Sequence, residues 1–281
     1  MRWNASLSRV LLTASVALGL CVTAERAPKY KVLHSFIGSD GSGPYGGVIL
    51  DQRRNPYGTT AGGGAGKCGL YNCGVVFQLT PHTNGNRAET VLYSFQGVDD
   101  GSDPHGGVIL DPLGNIYGTA TKGDTYSHGT AFELTSTGGD WTESTLYSFC
   151  AQSGCADGGS PEDSLVLDAA RNLYGTGGVA FELSLGSGGW NEAVLHQFGV
   201  VKGDGTGPYA GLILDAAGNL YGTTLGGGNQ CGSSTCGTVY ELTPLAGGGW
   251  KETILHRFHG KDGYFPGPGG RCSRKVLKRW C

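Results

Sequence analysis

Charge is scarce in this sequence. Asp, Glu, Lys and Arg make up 15% of the 281 residues, against about 25% in an average soluble protein. Their formal balance of -3 creates no field that would draw the chain to nucleic acid or to an anionic membrane. The uncharged run from Val10 to Ala24 is shorter than the roughly 20 residues a membrane-spanning helix needs. No GxSxG nucleophile elbow and no HExxH zinc motif occurs. AGGGAGKC, from Ala61 to Cys68, comes close to a phosphate-binding loop, but it ends in Cys where Ser or Thr would hold magnesium, and no helix signal follows it.

Glycine, by contrast, supplies 53 residues. It has no period of three, which excludes collagen, and together with the low charge it excludes a helical bundle. Such a composition suits many short strands joined by tight turns, because glycine takes positive φ without steric cost. One phrase recurs four times, as LDQRRNPYGTT from Leu50, LDPLGNIYGTA from Leu110, LDAARNLYGTG from Leu167 and LDAAGNLYGTT from Leu214. Each is followed by an apolar strand, GVVFQLT from Gly74, GTAFELT from Gly129, GVAFELS from Gly178 and GTVYELT from Gly237. A turn then leads to Trp141, Trp190 or Trp250, with Arg87 in that slot the first time, and on to a Leu at 92, 146, 195 or 255.

Each unit therefore carries four strand signals joined by short turns, which pair antiparallel as a meander. Repeats of about 40 to 50 residues with four strands apiece are the pattern of a β-propeller. We expect an all-β propeller of four complete four-stranded blades, at about 46–95, 106–149, 164–198 and 210–258, within a repeat domain spanning 25–270. Tyr30–Phe36, YKVLHSF, reads as the outer strand of a further, incomplete blade. A β-solenoid is the alternative, weakened by hairpin turns that demand antiparallel neighbours.

Residues 1–24 read as a secretory signal peptide, with Arg2 and Arg9 before an apolar stretch and a small-residue exit at Val22-Thr23-Ala24. This predicts an exported chain, extracellular or associated with the cell surface, without a transmembrane segment once the leader is removed. In an oxidising compartment the CxxxxC pairs read as local disulfides, Cys68 with Cys73, Cys150 with Cys155 and Cys231 with Cys236. Zinc is the rival reading, at the edge of its usual ligand spacing. Residues 271–281, RCSRKVLKRWC, break the repeat register as a basic tail, and a shifted frame or a truncation explains the break better than design.

The succession of LDxxGNLYGTT, an apolar strand such as GTVYELT, an LHSF strand and DGxxP resembles the GloVer tandem-repeat family of exported bacterial proteins. The resemblance runs over nearly everything from Tyr30 to Gly270. It implies export, a repeat fold and variable C-terminal anchoring, and it implies no particular chemistry. No anchor is legible in this C-terminus.

In a blade with strands a to d, the b-to-c loop and the connection to the next blade open on one face, and the a-to-b and c-to-d turns on the other. The long irregular loops AGGGAGKCGLYNC, ATKGDTYSH and LGGGNQCGSSTC lie on the first face, which makes it the expected ligand-binding face, with Lys67, Tyr71 and Tyr126 on it. DGxxP falls on the same face at Asp40, Asp100, Asp157, Asp204 and Asp262. These carboxylates either start turns, the preferred reading, or form an acidic ring able to hold calcium. His34, His196 and His256 share a slot with Tyr93 and Tyr147, and so read as packing positions. No catalytic residue, metal or cofactor is expected. The function that follows is an exported, non-catalytic scaffold binding a surface glycan or protein. The alternatives are a propeller glycoside hydrolase or polysaccharide lyase, for which the non-repeated acids Asp124, Glu162 and Asp163 are candidates, and a truncated product without function.

Overall fold

A computed structural model describes residues 30–82, 86–228, 230–231, 234–263 and 265–266. The expected signal peptide and the basic tail lie outside these residues. The chain divides into a unit ending at Val32 and a unit from Leu33 onward, and all strands belong to the second.

Blade one consists of β1 (Ile49–Leu50), β2 (Pro56–Thr60), β3 (Val75–Pro81) and β4 (Arg87–Ser94). Blade two follows with β5 (Ile109–Leu110), β6 (Ile116–Ala120), β7 (Thr130–Thr137) and β8 (Asp140–Ser148). Blade three has β9 (Val166–Leu167), β10 (Leu173–Thr176), β11 (Val179–Gly186) and β12 (Gly189–Gln197). Blade four opens with β13 (Ile213–Leu214) and β14 (Leu220–Thr224), inserts a small hairpin of β15 (Gln230–Cys231) and β16 (Ser234–Thr235), and closes with β17 (Thr238–Pro244) and β18 (Trp250–Arg257). Within each blade the strands pair antiparallel in chain order, β14 joining β17 across the inserted hairpin, so each blade is a meander of propeller type rather than a coil of a β-solenoid.

The recurring LDxxxN phrase is the hairpin that starts each blade. Asp51 Oδ1 accepts the Asn55 backbone N–H at 2.8 Å and Oδ2 accepts the Asn55 side-chain amide at 3.0 Å. Asp111 with Asn115, Asp168 with Asn172 and Asp215 with Asn219 repeat both bonds. The residue before the Asn sits at positive φ in every copy, 64° at Arg54, 90° at Gly114, 70° at Arg171 and 87° at Gly218. Backbone bonds close the same turn, from the Asp51 N–H to the Asn55 carbonyl at 3.1 Å and from the Arg54 N–H to the Asp51 carbonyl at 2.9 Å, and the Asp side chain adds its own to them.

The YGT glycine has a different reason. Gly118 on β6 lies opposite Phe132 on β7, whose ring covers it so closely that a Cβ would stand 2.6 Å from Phe132 Cζ. Gly58 under Phe77 and Gly175 under Phe181 repeat the arrangement. The covered ring then meets the last aromatic of the preceding blade. Phe95 stands edge-on to Phe132 at 5.1 Å, and Phe149 contacts Phe181 at 4.8 Å. Phe95, Phe132, Phe149 and Phe181 are all fully buried; burying one such side chain contributes about 1.5–3 kcal/mol. Three cores of this kind join blade one to two, two to three and three to four.

Phe36 makes the same edge contact, at 5.0 Å, with Phe77 of blade one. Leu33–Phe36 therefore occupies the place of a preceding blade's outer strand. It is not a strand, however: residues 30–37 form no ladder, which corrects the expectation from YKVLHSF. A strand is defined by its neighbour, and among the described residues none lies beside this segment. Ile49, Ile109, Val166 and Ile213, one from the innermost strand of each blade, line a common aliphatic cavity of about 510 Å³.

Candidate functional site

On the loop face, a disulfide joins Cys68 to Cys73 and closes the connection from β2 to β3. A second joins Cys150 to Cys155 between β8 and β9. Disulfide sulfurs offer no thiolate, so neither pair is a zinc site. Cys236 is buried and disulfide-bonded; the side chains of Cys231 and Tyr71 lie outside the described part of the chain. Lys67 and Leu70 stand exposed beside the first disulfide. Tyr126 and His128 are exposed on the next loop, which Asp124 holds by accepting the backbone N–H groups of both, at 3.0 and 3.3 Å. Asp163 accepts the N–H groups of Ser164 at 2.7 Å and of Gly211, in the next blade, at 2.6 Å. Two of the three non-repeated acids are thus engaged by backbone.

The DGxxP aspartates lie at the seams between blades. Asp157 is fully buried and accepts the backbone N–H groups of Ala151 and Gln152, at 2.8 and 3.1 Å, together with the Tyr147 hydroxyl at 2.7 Å. Asp100 does the same for Gln96, Gly97 and Tyr93. Asp204 accepts from Gly199 and pairs with His196, while Asp40 accepts from Ile37 and pairs with His34. The oxygens of all four aspartates are engaged in holding turns. The slot shared by His and Tyr is the donor to this carboxylate.

A third group comes from the next blade. Glu143 faces the Asp100 pair, Glu192 the Asp157 pair and Glu252 the Asp204 pair. Glu192 has both carboxyl oxygens buried without a hydrogen-bond partner among the described residues. Burial first, and then the nearby Asp157 charge, push its carboxyl up to about 7. Burial does the same to Glu143, also to about 7, with Asp100 adding to it against the bond from Thr145. His196, Asp204 and Glu252 place possible metal-ligating atoms within 4.8 Å of one another, as do His34, Asp40 and Glu89. In the two seams between them Tyr93 and Tyr147 make the same bond to Asp, so hydrogen bonding alone accounts for the arrangement. These glutamates were overlooked in the sequence, although each stands two residues after the Trp slot in its copy.

The turn face is not closed by its short turns. A cleft of about 650 Å³ opens there between blades one and two, lined by Asp51, Arg53, Asn55, Tyr57, Gln78 and the turn at Asp111–Gly114.

The family model for the Gloeobacter/Verrucomicrobia repeat matches residues 65–273. The chain belongs to this repeat family. The matched span of the Gloeobacter/Verrucomicrobia repeat takes in β3 and β4 of blade one and all of blades two to four. It contains the two seams that join blades two, three and four, while Tyr57 and Thr59 of the first seam precede it. No curated protein matches the chain.

Proposed function

We propose that this Gloeobacter/Verrucomicrobia repeat protein is an exported, non-catalytic scaffold whose loop face binds a surface glycan or protein. The observation that carries the reading is a division of labour. The acids and His or Tyr residues that recur in the copies are spent inside, on turns and seams, while the loop braced by the Cys68–Cys73 disulfide holds Lys67 and Leu70 out to solvent and the loop held by Asp124 does the same for Tyr126. Rigid loops that present an aromatic and a cation lose little entropy on binding. Asp40, Asp100, Asp157 and Asp204 serve that face by fixing its loops. Local disulfides favour an oxidising compartment, in line with the leader-like N-terminus, and among the described residues no helix is long and apolar enough to cross a membrane.

The test is capture on arrays of bacterial surface glycans and extracellular proteins by the intact chain and by a Lys67→Ala/Tyr126→Ala variant. Loss of capture at an unchanged melting temperature supports the reading. Capture that the variant retains in full, or turnover of a captured glycan, refutes it.

A further inference from the structure

Blade three carries a plug that blade two lacks. Arg171, in the turn between β9 and β10, reaches back across the seam to blade two. There its guanidinium donates to Asp111 Oδ2 at 2.8 Å and to the Tyr117 hydroxyl at 2.9 Å. The Asp111 side chain is 1% exposed beneath it. Aligning the repeats puts Gly114 in the place of Arg171, one seam earlier. Gly114 has no side chain to send back toward Asp51 and Tyr57 of blade one, and the 650 Å³ cleft opens there.

The floor of this cleft matches the one Arg171 covers. Asp51 holds its Asn and accepts from Tyr57 as Asp111 does from Tyr117. Bonds from the Asn55 backbone and side chain outweigh desolvation and keep the Asp51 carboxyl below the usual range, so it is an anion. Among the described residues it has no ion-pair partner. Asn55, only 7% exposed, lines the same cleft and ties its side-chain amide to Asp51 at 3.0 Å, so it reports on what reaches that carboxylate. Arg53 also lines the cleft, as an exposed side chain, and Asp111 is already paired with Arg171.

We propose that the cleft between blades one and two binds a guanidinium group, the arginine side chain of a partner polypeptide, on Asp51 and Tyr57. A guanidinium supplies several donors in one plane, enough to meet the carboxylate and the phenol oxygen together, as Arg171 does at Asp111 and Tyr117, whereas a lysine ammonium is a compact point charge. Arg171 is the ligand's counterpart within the chain. The site lies on the opposite face from the loops and stands or falls independently of them.

The chain offers its own control. A Cβ built on Gly114 meets nothing within 4 Å, and Arg171 stands at a positive φ of 70° against 90° at Gly114, so Gly114→Arg has room to plug the cleft. The experiment is a side-chain NMR titration of the full chain with N-acetyl-arginine amide, and with N-acetyl-lysine amide in parallel. We expect saturable shifts at the Asn55 amide and the Tyr57 ring with the arginine probe, at least tenfold weaker binding of the lysine probe, and loss of both responses in Gly114→Arg. Arg171→Gly, which unplugs the next seam, should add a second saturable response at Asn115 and Tyr117. It carries the test if the Gly114 variant does not fold. No saturable shift at Asn55, an undiminished response in folded Gly114→Arg, or no new response in Arg171→Gly overturns the proposal.

Discussion

Thr119 on β6 donates its hydroxyl to the backbone carbonyl of Asp163, 3.1 Å away in the connection that leads into blade three. The bond recurs at the other seams, from Thr59 to Gly106, Thr176 to Ala210 and Thr223 to Pro266. It fixes where the chain crosses from one blade to the next. Thr119→Val keeps the shape and removes the donor to a partly buried carbonyl. The expected loss is about 0.5–1.5 kcal/mol, read as a lower urea midpoint at unchanged slope.

Gly118 faces the opposite constraint. A methyl there collides with the Phe132 ring, so Gly118→Ala should destabilise by about 1–3 kcal/mol through overpacking. Adding Phe132→Leu should recover part of that loss. Thermal melts of the single and double variants check the coupling; a Gly118→Ala protein as stable as its parent would mean the ring does not cover the glycine.

Glu192 makes the fold sensitive to pH. Its carboxyl is pushed from an ordinary 4.5 up to about 7 by burial and by Asp157, and so holds its proton more tightly when folded. The stability this proton contributes is complete below about 4.5 and is lost as pH rises through about 7. Glu143 and Glu252 act in the same direction. Glu192→Gln resembles the protonated form, so its melting temperature should match the parent near pH 5 and exceed it near pH 8. A variant equally destabilised at both pH values would assign Glu192 no proton.

The disulfide between Cys68 and Cys73 closes a small ring, which restricts the unfolded chain by roughly 2 kcal/mol on the loop-entropy model. A Cys68→Ser/Cys73→Ser variant should lose about that much stability. Its loop should also become the first site of proteolysis, seen as cleavage near Lys67 by trypsin under native conditions.

Much of this architecture was legible because the repeat writes each local signal four times. The Asp and Asn of the opening hairpin and the alternating strand that follows announce themselves by spacing. The seams were harder to read, since Asp100 and Glu143 belong to different blades, and only stacking brings them together. The Tyr and His slot therefore looked like packing, when its tip is a donor to Asp. Tyr30–Phe36 has the pattern of a strand without a neighbour to pair with among the described residues. The cleft on the turn face left a signal in the sequence that went unread. Aligning the copies shows Gly114 where the next one has Arg171, but the meaning of that difference depends on Arg171 pointing back across a seam.

The central claim is that this chain binds through its loop face and catalyses nothing. Its most direct test is incubation of the intact chain with a captured surface glycan or protein, following bound and chemically altered ligand together. The account predicts saturable binding that Lys67→Ala/Tyr126→Ala abolishes, with the ligand recovered intact. Recovery of cleaved or rearranged ligand, or binding that survives the double substitution, would contradict it.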